Sequence, residues 1–347
     1  MLFSRQWLAL LLMVSSLVYV ASVVGIWVLL IFQAERWWLA TLLLFGPRWV
    51  YALPLAVLVP AASVWQRWLL GPLALAAAVV VGPIMGFNVP WQTLGAHGRA
   101  DLRVLSYNID RWSVDAEDFS VMLETLEPDL VAIQEYPSRR WALPEGWYIR
   151  RAGELVVLSA HPIVQTEVSR NRWSLRGQPY VNGLYCVVET PWGRVGFASI
   201  HLKTPRPALS AVLDRETIVD LEQTDFATRG IRRRWRESED MARWLSGFPE
   251  AKIVAGDFNM PSDSAIYRDY WRGYRNAFRR AGWGFGYTKQ TVIRGWQYGT
   301  RIDHILTGGA WHATRCWLGP DLGSDHYPLI ADLAGSRAAG RVPSNGD

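Results

Sequence analysis

Cysteine is nearly absent from this chain: Cys186 and Cys316 are the only two among 347 residues. They form no CxxC pair and no Cys/His cluster, which argues against a structural zinc site. At most one disulfide can join them, and only in an oxidising compartment. Acidic residues are scarce at the N-terminus. The first 96 residues hold one of the 31 acids, Glu35, and four of the 36 basic residues, Arg5, Arg36, Arg48 and Arg67. The rest is close to charge-balanced. The net charge of +5 and pI of about 9.3 therefore do not describe a basic domain built to bind a polyanion through its overall field. No internal repeat is visible.

What is abundant is apolar, and it is unevenly placed. Half of the residues are hydrophobic and mean hydropathy is +0.04, with the surplus in the first 90 residues. Leu8–Phe32 is a run of 25 residues without a charge. At about 1.5 Å per residue it exceeds the roughly 30 Å hydrocarbon core of a bilayer. Two further uncharged stretches span 49–65, with Pro54 and Pro60 inside, and 68–87. Tryptophans Trp7, Trp37, Trp38, Trp49, Trp65, Trp68 and Trp91 punctuate the segment ends, as in an interfacial belt. The expectation is a transmembrane module over 1–96 with about three helices, 8–32, 49–65 and 68–87. This predicts a multi-pass protein of the cell membrane whose partner is the lipid bilayer. A cleaved signal peptide would have a shorter apolar region and would not explain two more spans. The arginines flank the spans too evenly to orient the remainder of the chain.

Residues 88–100 mix Pro, Gly and polar side chains and mark a boundary. From Leu102 the texture changes to short strand-like runs: 102–107, 130–134, 155–159, 184–189, 195–201, 252–256, 301–307 and 327–333. Helical spacing occupies 115–126 and 230–247. Pro191-Trp192-Gly193 predicts a hairpin turn. Mixed strands, hairpins and helices argue for a layered α/β or α+β sandwich over 97–335. The tail 336–347 is small and polar and is expected to be disordered.

Six polar clusters directly follow apolar strands: Ser106–Asp110, Ile133–Glu135, Ser199–Leu202, Gly256–Asn259, Arg301–His304 and Gly323–His326. Strand ends deliver side chains to one shared cleft. Carboxylates and carboxamides gathered there suit a hard cation such as Mg²⁺ or Mn²⁺. Histidines beside carboxylates suit proton transfer near neutral pH.

These clusters read SYNID, QE, HL, GDFN, RIDHI and GSDHYPL. In that order they resemble the endonuclease/exonuclease/phosphatase superfamily, whose deoxyribonuclease I-like members also include neutral sphingomyelinases and inositol-polyphosphate 5-phosphatases. The resemblance runs from about 102 to 334 and leaves 1–96 uncovered. It implies a four-layer sandwich of two mixed β-sheets flanked by helices, and a Mg²⁺-dependent phosphoric ester hydrolase. Glu135 matches the metal-binding glutamate, with Asn108 and Asp110 as companions in the first motif. Asp257 and Asn259 match the pair that contacts phosphate and the attacking water. His326 matches the catalytic histidine, Asp303 the aspartate that orients it, and Asp325 its neighbour. His201 matches a second histidine of the deoxyribonuclease-like and sphingomyelinase-like branches. The resemblance therefore implies hydrolysis of phosphodiesters, of nucleic acid or a phospholipid headgroup, by metal- and histidine-assisted attack of water.

Other readings stay open at this level. A phosphomonoesterase acting on a soluble or lipid phosphate would use the same residues. A catalytically silent membrane interaction module would share the fold, although every motif position is filled. Lys203 and Arg206 follow His201 and are candidate substrate-binding residues, or equally solvated surface charges. The run 229–236 reads as a solvated basic helix face or as a surface for anionic lipid or nucleic acid, and His304 as structural or as a support to the site. Nothing in the sequence calls for an obligate protein partner.

Overall fold

The computed structural model describes residues 2–93, 100–111, 113–137, 143–172, 179–207, 221–293 and 295–335. The predicted tail 336–347 and residues 94–99 of the predicted linker lie outside these residues. By proximity the chain divides into two compact units. One comprises Met1–Asn88, Arg206–Ile231 and Asp263–Arg268; the other comprises Val89–Pro205, Arg232–Ser262 and Asp269–Asp347.

The first unit is helical. Helix α1 runs from Leu2 to Gln33 without a break, as the uncharged run demands. The left-handed Glu35 (φ 58°) follows it, and α2 occupies Trp38–Phe45. The second apolar stretch opens with a 3-10 turn, Arg48–Ala52, before Pro54, and continues as α3, Leu55–Trp65. The third enters through a 3-10 turn, Arg67–Leu69, continues as α4, Leu70–Val79, and closes in a π-turn, Val80–Ile84, containing Pro83. Proline removes a backbone donor and crowds the preceding turn, which accounts for these local departures from α-geometry. Arg5–Gln33, Arg48–Trp65 and Arg67–Ile84 are each long and apolar enough to cross a membrane. Within this unit the Arg48 guanidinium donates to the Ile84 carbonyl at 2.7 Å and to Asp263 at 2.8 Å.

The second unit contains two six-stranded mixed sheets and a two-stranded ribbon. Strand β1 (Leu102–Asn108) leads through α5 (Ala116–Leu126) to β2 (Leu130–Gln134), then to β3 (Tyr148–Ala152) and β4 (Leu155–Ser159). Strands β5 (Ile163–Asn171), β6 (Tyr180–Thr190) and β7 (Gly193–His201) follow, and α6 (Leu221–Ser246), which belongs to the first unit as far as Ile231, precedes β8 (Lys252–Asp257). After α7 (Ala265–Tyr270), which belongs to the first unit as far as Arg268, come β9 (Arg275–Asn276) and α8 (Ala277–Ala281). Then come β10 (Lys289–Ile293), β11 (Trp296–Thr300), β12 (Asp303–Thr307), β13 (Trp311–Leu318) and β14 (Leu329–Gly335). The first sheet is ordered β13-β14-β1-β2-β4-β3, the second β5-β6-β7-β8-β12-β9, and β10-β11 is the ribbon. Each large sheet has one parallel pair, β1–β2 and β7–β8, among antiparallel neighbours.

The period of two assigns the faces. Val104, Leu130, Ala132 and Val157 of the first sheet share a core with Leu184, Cys186, Phe197, Ile253 and Ile305 of the second. The alternating residues Leu105, Tyr107, Val131 and Ile133 pack with Phe119, Met122 and Leu123 of α5. Asp115 caps that helix, accepting from the Glu117 amide at 2.8 Å. Cys186 and Cys316 are buried and free. Burial pushes the Cys186 thiol up to about 12.

Strand β8 comes unusually close to β7. Gly256 has φ +150°, and a Cβ there would lie 2.0 Å from the Ile200 carbonyl oxygen of the paired strand. No side chain fits without separating the strands, so Gly256→Ala is expected to cost roughly 3 kcal/mol. The check is thermal unfolding of the detergent-solubilised full-length protein. A variant that melts with the parent would show that β7 and β8 can separate at that point without cost.

Candidate active site

The two parallel pairs set the site. Register aligns Asn108 with Gln134 at the ends of β1 and β2, so Glu135 is the first residue beyond its strand. In the second sheet His201 pairs with Asp257, and Asp257 with Asp303. Those three side chains therefore form one row across β7, β8 and β12. Turns hold the flanking residues: Glu135 and Asn259 are left-handed, with φ 56° and 52°. Backbone strain of this kind persists where surrounding contacts enforce it.

The two sheets meet at the Asp257 carboxylate, which is 1% exposed. Its Oδ2 accepts from Asn108 Nδ2 and Asn259 Nδ2, both at 3.1 Å. Its Oδ1 accepts from the Asn259 amide N–H at 2.7 Å. Imidazole Nε2 atoms of His201 and His326 each stand 3.7 Å from Oδ2. Asn108 Nδ2 also reaches Glu135 Oε1 at 3.2 Å, and His201 Nε2 is 3.8 Å from that oxygen. Asn259 Nδ2 donates further to the Leu202 carbonyl at 2.8 Å. His326 Nδ1 bonds Asp303 Oδ2 at 2.8 Å. The Ser324 hydroxyl accepts the His326 amide at 3.1 Å and donates to the Asn108 carbonyl at 2.8 Å. Glu135, Asn108, Asp257, Asn259, His201, Asp303 and His326 are thus brought together as the motifs predict.

Burial and mutual charge shift the ionisable groups in opposite directions. Burial and the nearby Asp303 charge push the Asp257 carboxyl up, against the pull of His326 and His201. Burial would also raise Asp303, but the bonded His326 outweighs it and holds that carboxyl below the usual carboxylate range. For His326 burial disfavours the cation, yet Asp303 and then Asp257 overcome it and raise the imidazole above its ordinary value.

The donors fit a hard divalent cation. The Glu135 and Asp257 carboxylates converge on one amide, and Asp303 Oδ1 is buried without a hydrogen-bond partner. Ligand atoms of Asp257, Asp303 and His326 lie within 4.8 Å of one another. His326 and Asp303 already bond each other directly, so that trio reads as an acid–base pair beside a carboxylate. Two predicted ligands are placed differently. Asn108 presents its NH₂ to the carboxylates while Oδ1 accepts the Asp110 amide at 3.1 Å. Here it acts as a donor, and ligation would require the amide to turn over. The Asp110 carboxylate accepts the Ser113 hydroxyl at 2.8 Å and stabilises its own turn, away from Glu135 and Asp257.

Lys289, Thr288 and the buried Arg234 and Glu237 were not legible as site residues. Asp325, predicted as the neighbour of His326, forms an ion pair with Lys289, and its Oδ1 is 3.7 Å from His326 Nε2. Thr288 Oγ1 accepts the Ile302 and Asp303 amides at 3.1 Å. The basic run 229–236 is not simply a solvated face: Arg234 and Glu237 are buried. Arg234 donates to the Asn259 carbonyl at 3.0 Å and to the Lys203 carbonyl. Glu237 accepts from Tyr180 at 2.9 Å, Asn182 at 3.2 Å and the Lys203 amide at 2.9 Å. Lys203 is therefore tied through its backbone, with its ammonium 5.7 Å from the Tyr180 ring, and Arg206 is exposed. His304 faces away from Asp303, donating from Nε2 to the Met260 carbonyl at 2.9 Å and accepting from Asn276 at 3.1 Å.

A model of the Endonuclease/Exonuclease/phosphatase family matches residues 105–326. No curated protein matches the sequence at a significant level. Among solved structures, the chain is similar to TDP2 from C. elegans at 15% identity and a TM-score of 0.50, covering 75% of this chain and 84% of that one. A 3' phosphatase, NExo, from Neisseria, solved with a product DNA hairpin, matches at 17% identity and a TM-score of 0.49, covering 67% and 99%. An endonuclease/exonuclease/phosphatase from Beutenbergia cavernae matches at 17% identity and 0.49, covering 68% and 72%. At such identities these likenesses bear on the fold alone.

The pKa directions give a sign for pH dependence. The imidazole of His326 is raised by folding, so its contribution to stability is fully present below the unfolded histidine value of about 6.5 and is lost as pH rises through the folded value. In a chelating buffer the stability gap between the parent and His326→Gln is expected to be wider at pH 6 than at pH 9. Thermal melts at both values check this. A gap that widens toward pH 9 would mean that His326 is held neutral.

Proposed function

We propose that this chain, which belongs to the endonuclease/exonuclease/phosphatase family, is a membrane-associated hydrolase of phosphodiesters that works with a bound divalent cation, Mg²⁺ or Mn²⁺. The observation that carries the reading is the continuous contact from Glu135 through Asn108 and Asp257 to His326 and Asp303. Glu135 and Asp257 would hold the cation, with Asn108 joining if its amide turns. When bound, that cation neutralises charge on a phosphate oxygen.

The chain's own groups divide the remaining work. Asp257 is a buried carboxylate that accepts hydrogen bonds from Asn108 and Asn259. It would take the proton of the attacking water, which the Asn259 amide orients. His326, whose cationic form the bonded Asp303 favours, would place positive charge beside the phosphate as it becomes more negative. His201, on the other flank of Asp257, would hydrogen-bond the phosphate or the departing oxygen. The apolar length of α1 supports membrane association, with the two shorter candidate spans beside it in the same unit.

The test uses full-length protein in detergent micelles with Mg²⁺. Supercoiled plasmid, phosphatidylcholine vesicles and 4-nitrophenyl phosphate serve as nucleic-acid diester, lipid diester and monoester. Cleavage of either diester should vanish on chelation and fall about 10³-fold or more in His326→Ala. Glu135→Gln should need more Mg²⁺ for half activation. Turnover of the monoester alone would transfer the assignment to a phosphomonoesterase, and no turnover of any of the three by folded protein would sink the proposal.

A further inference from the structure

We propose that Lys289 is a further catalytic residue of this site, its ammonium binding a nonbridging oxygen of the scissile phosphate beside His326. The inference rests on the phosphoester-hydrolase reading above and names a residue that reading does not contain.

The placement comes from backbone pairing. Lys289 forms an antiparallel bridge with His326. The bridge is framed by the Tyr327 amide donating to the Thr288 carbonyl at 2.7 Å and the Gln290 amide donating to the Asp325 carbonyl at 2.8 Å. Directly paired residues project to the same face, so the lysine and the imidazole stand side by side. The Lys289 side chain is 10% exposed, while its ion-pair partner Asp325 is 37% exposed. The pair thus has a desolvated stem and an open end. Asp325 Oδ1 lies 3.7 Å from His326 Nε2, the same distance as Asp257 Oδ2 on that nitrogen's other flank.

Charge explains why a cation belongs there. Glu135, Asp257, Asp303 and Asp325 crowd one cleft that must admit an anionic phosphate. A divalent ion held by Glu135 and Asp257 offsets charge on that flank of His326. Lys289 offsets it on the Asp325 flank, where its position is already set by the β10 ladder and does not have to reorganise as charge develops. An ion pair with one partner buried and the other open to solvent contributes little net stability in general, which makes a purely structural role a weak account of it. Lys289 starts the ribbon whose preceding residue, Thr288, holds the Asp303 amide. One short segment thus positions the aspartate of the His326 pair and supplies the adjacent cation.

The experiment compares full-length parent, Lys289→Met, Lys289→Arg and His326→Ala in detergent with saturating Mg²⁺, using bis(4-nitrophenyl) phosphate as substrate and inorganic phosphate as competing ligand. In Lys289→Met, kcat/KM should fall about 10²-fold, mostly in kcat. The phosphate inhibition constant should rise roughly tenfold, as for loss of one charged contact. The Mg²⁺ concentration for half activation and the melting temperature should stay near parental values. Lys289→Arg should recover most of the loss. A folded Lys289→Met within threefold of the parent overturns the proposal, as does lost turnover with unchanged phosphate inhibition, the mark of a merely structural role. Should the methionine variant not fold, Lys289→Gln provides the neutral comparison. If the parent hydrolyses no phosphoester, the functional reading fails, and calorimetric titration of phosphate into parent and Lys289→Met still decides whether the ammonium contacts phosphate.

Discussion

A carboxylate removed from water governs this structure. Asp257 ends the central strand of the second sheet with almost no solvent contact, and an ionised carboxyl there is untenable unless charge and hydrogen bonds surround it. Each compensating group arrives from a different strand end: Asn108 from β1, His201 from β7, Asn259 from the turn after β8, and His326 just before β14. The sandwich is what allows this, because it brings the ends of both parallel pairs to one point. Compensation is incomplete, and the raised proton affinity of Asp257 is the residue of that imbalance. The same imbalance makes the locality attractive to a cation.

Interdependence follows from the shared oxygen. Asp257 Oδ2 serves two amides and faces two imidazoles, so removing any one partner alters the electrostatics felt by the others. Energies measured by single substitutions here should not add. Arg234 extends this coupling outward from the cleft. It holds the carbonyl of Asn259, whose side chain holds Asp257, and the helix that carries it also carries Glu237 against Lys203.

The central strands and their terminal residues were readable because two physical signals coincide. An apolar run buried on both faces must be a strand within layers, and a polar cluster where it ends has only the cleft to enter. Adjacent residues Asp303 and His304 show the resolving power of the period of two: one joins His326 and the other bonds Met260 and Asn276 on the opposite face. Edge strands β3, β5 and β13 escaped because their exposed positions break the apolar run. Lys289 and Thr288 escaped for a different reason. Their role is created by pairing with residues 325–327, some 36 positions later in the chain, and no local pattern encodes that register. The basic stretch of α6 misled through composition: interleaved Arg and Glu look solvated, yet Arg234 and Glu237 point into a polar interior that only the folded strands provide. The orientation of the Asn108 amide is likewise a property of its neighbours, set by the Asp110 N–H on one side and two carboxylates on the other.

Charge also constrains how substrate reaches this cleft. Beyond the apolar N-terminal stretch the chain is nearly neutral overall, so it projects little net field past the roughly 10 Å over which salt screens charge at 0.1 M. Under the reading proposed here, attraction of a phosphate would arise at contact, from His326, the Lys289 ammonium and a bound cation, set against four nearby carboxylates. A site of that kind gains little from long-range steering and much from a substrate already held close by. Under the membrane association proposed here, confinement near a surface would supply that proximity by raising the effective concentration of any phosphoester residing there. Anchoring and a short-range electrostatic site are therefore complementary solutions to one problem, and a cleft whose cations are all within a few ångströms of the chemistry is the kind that such confinement makes sufficient.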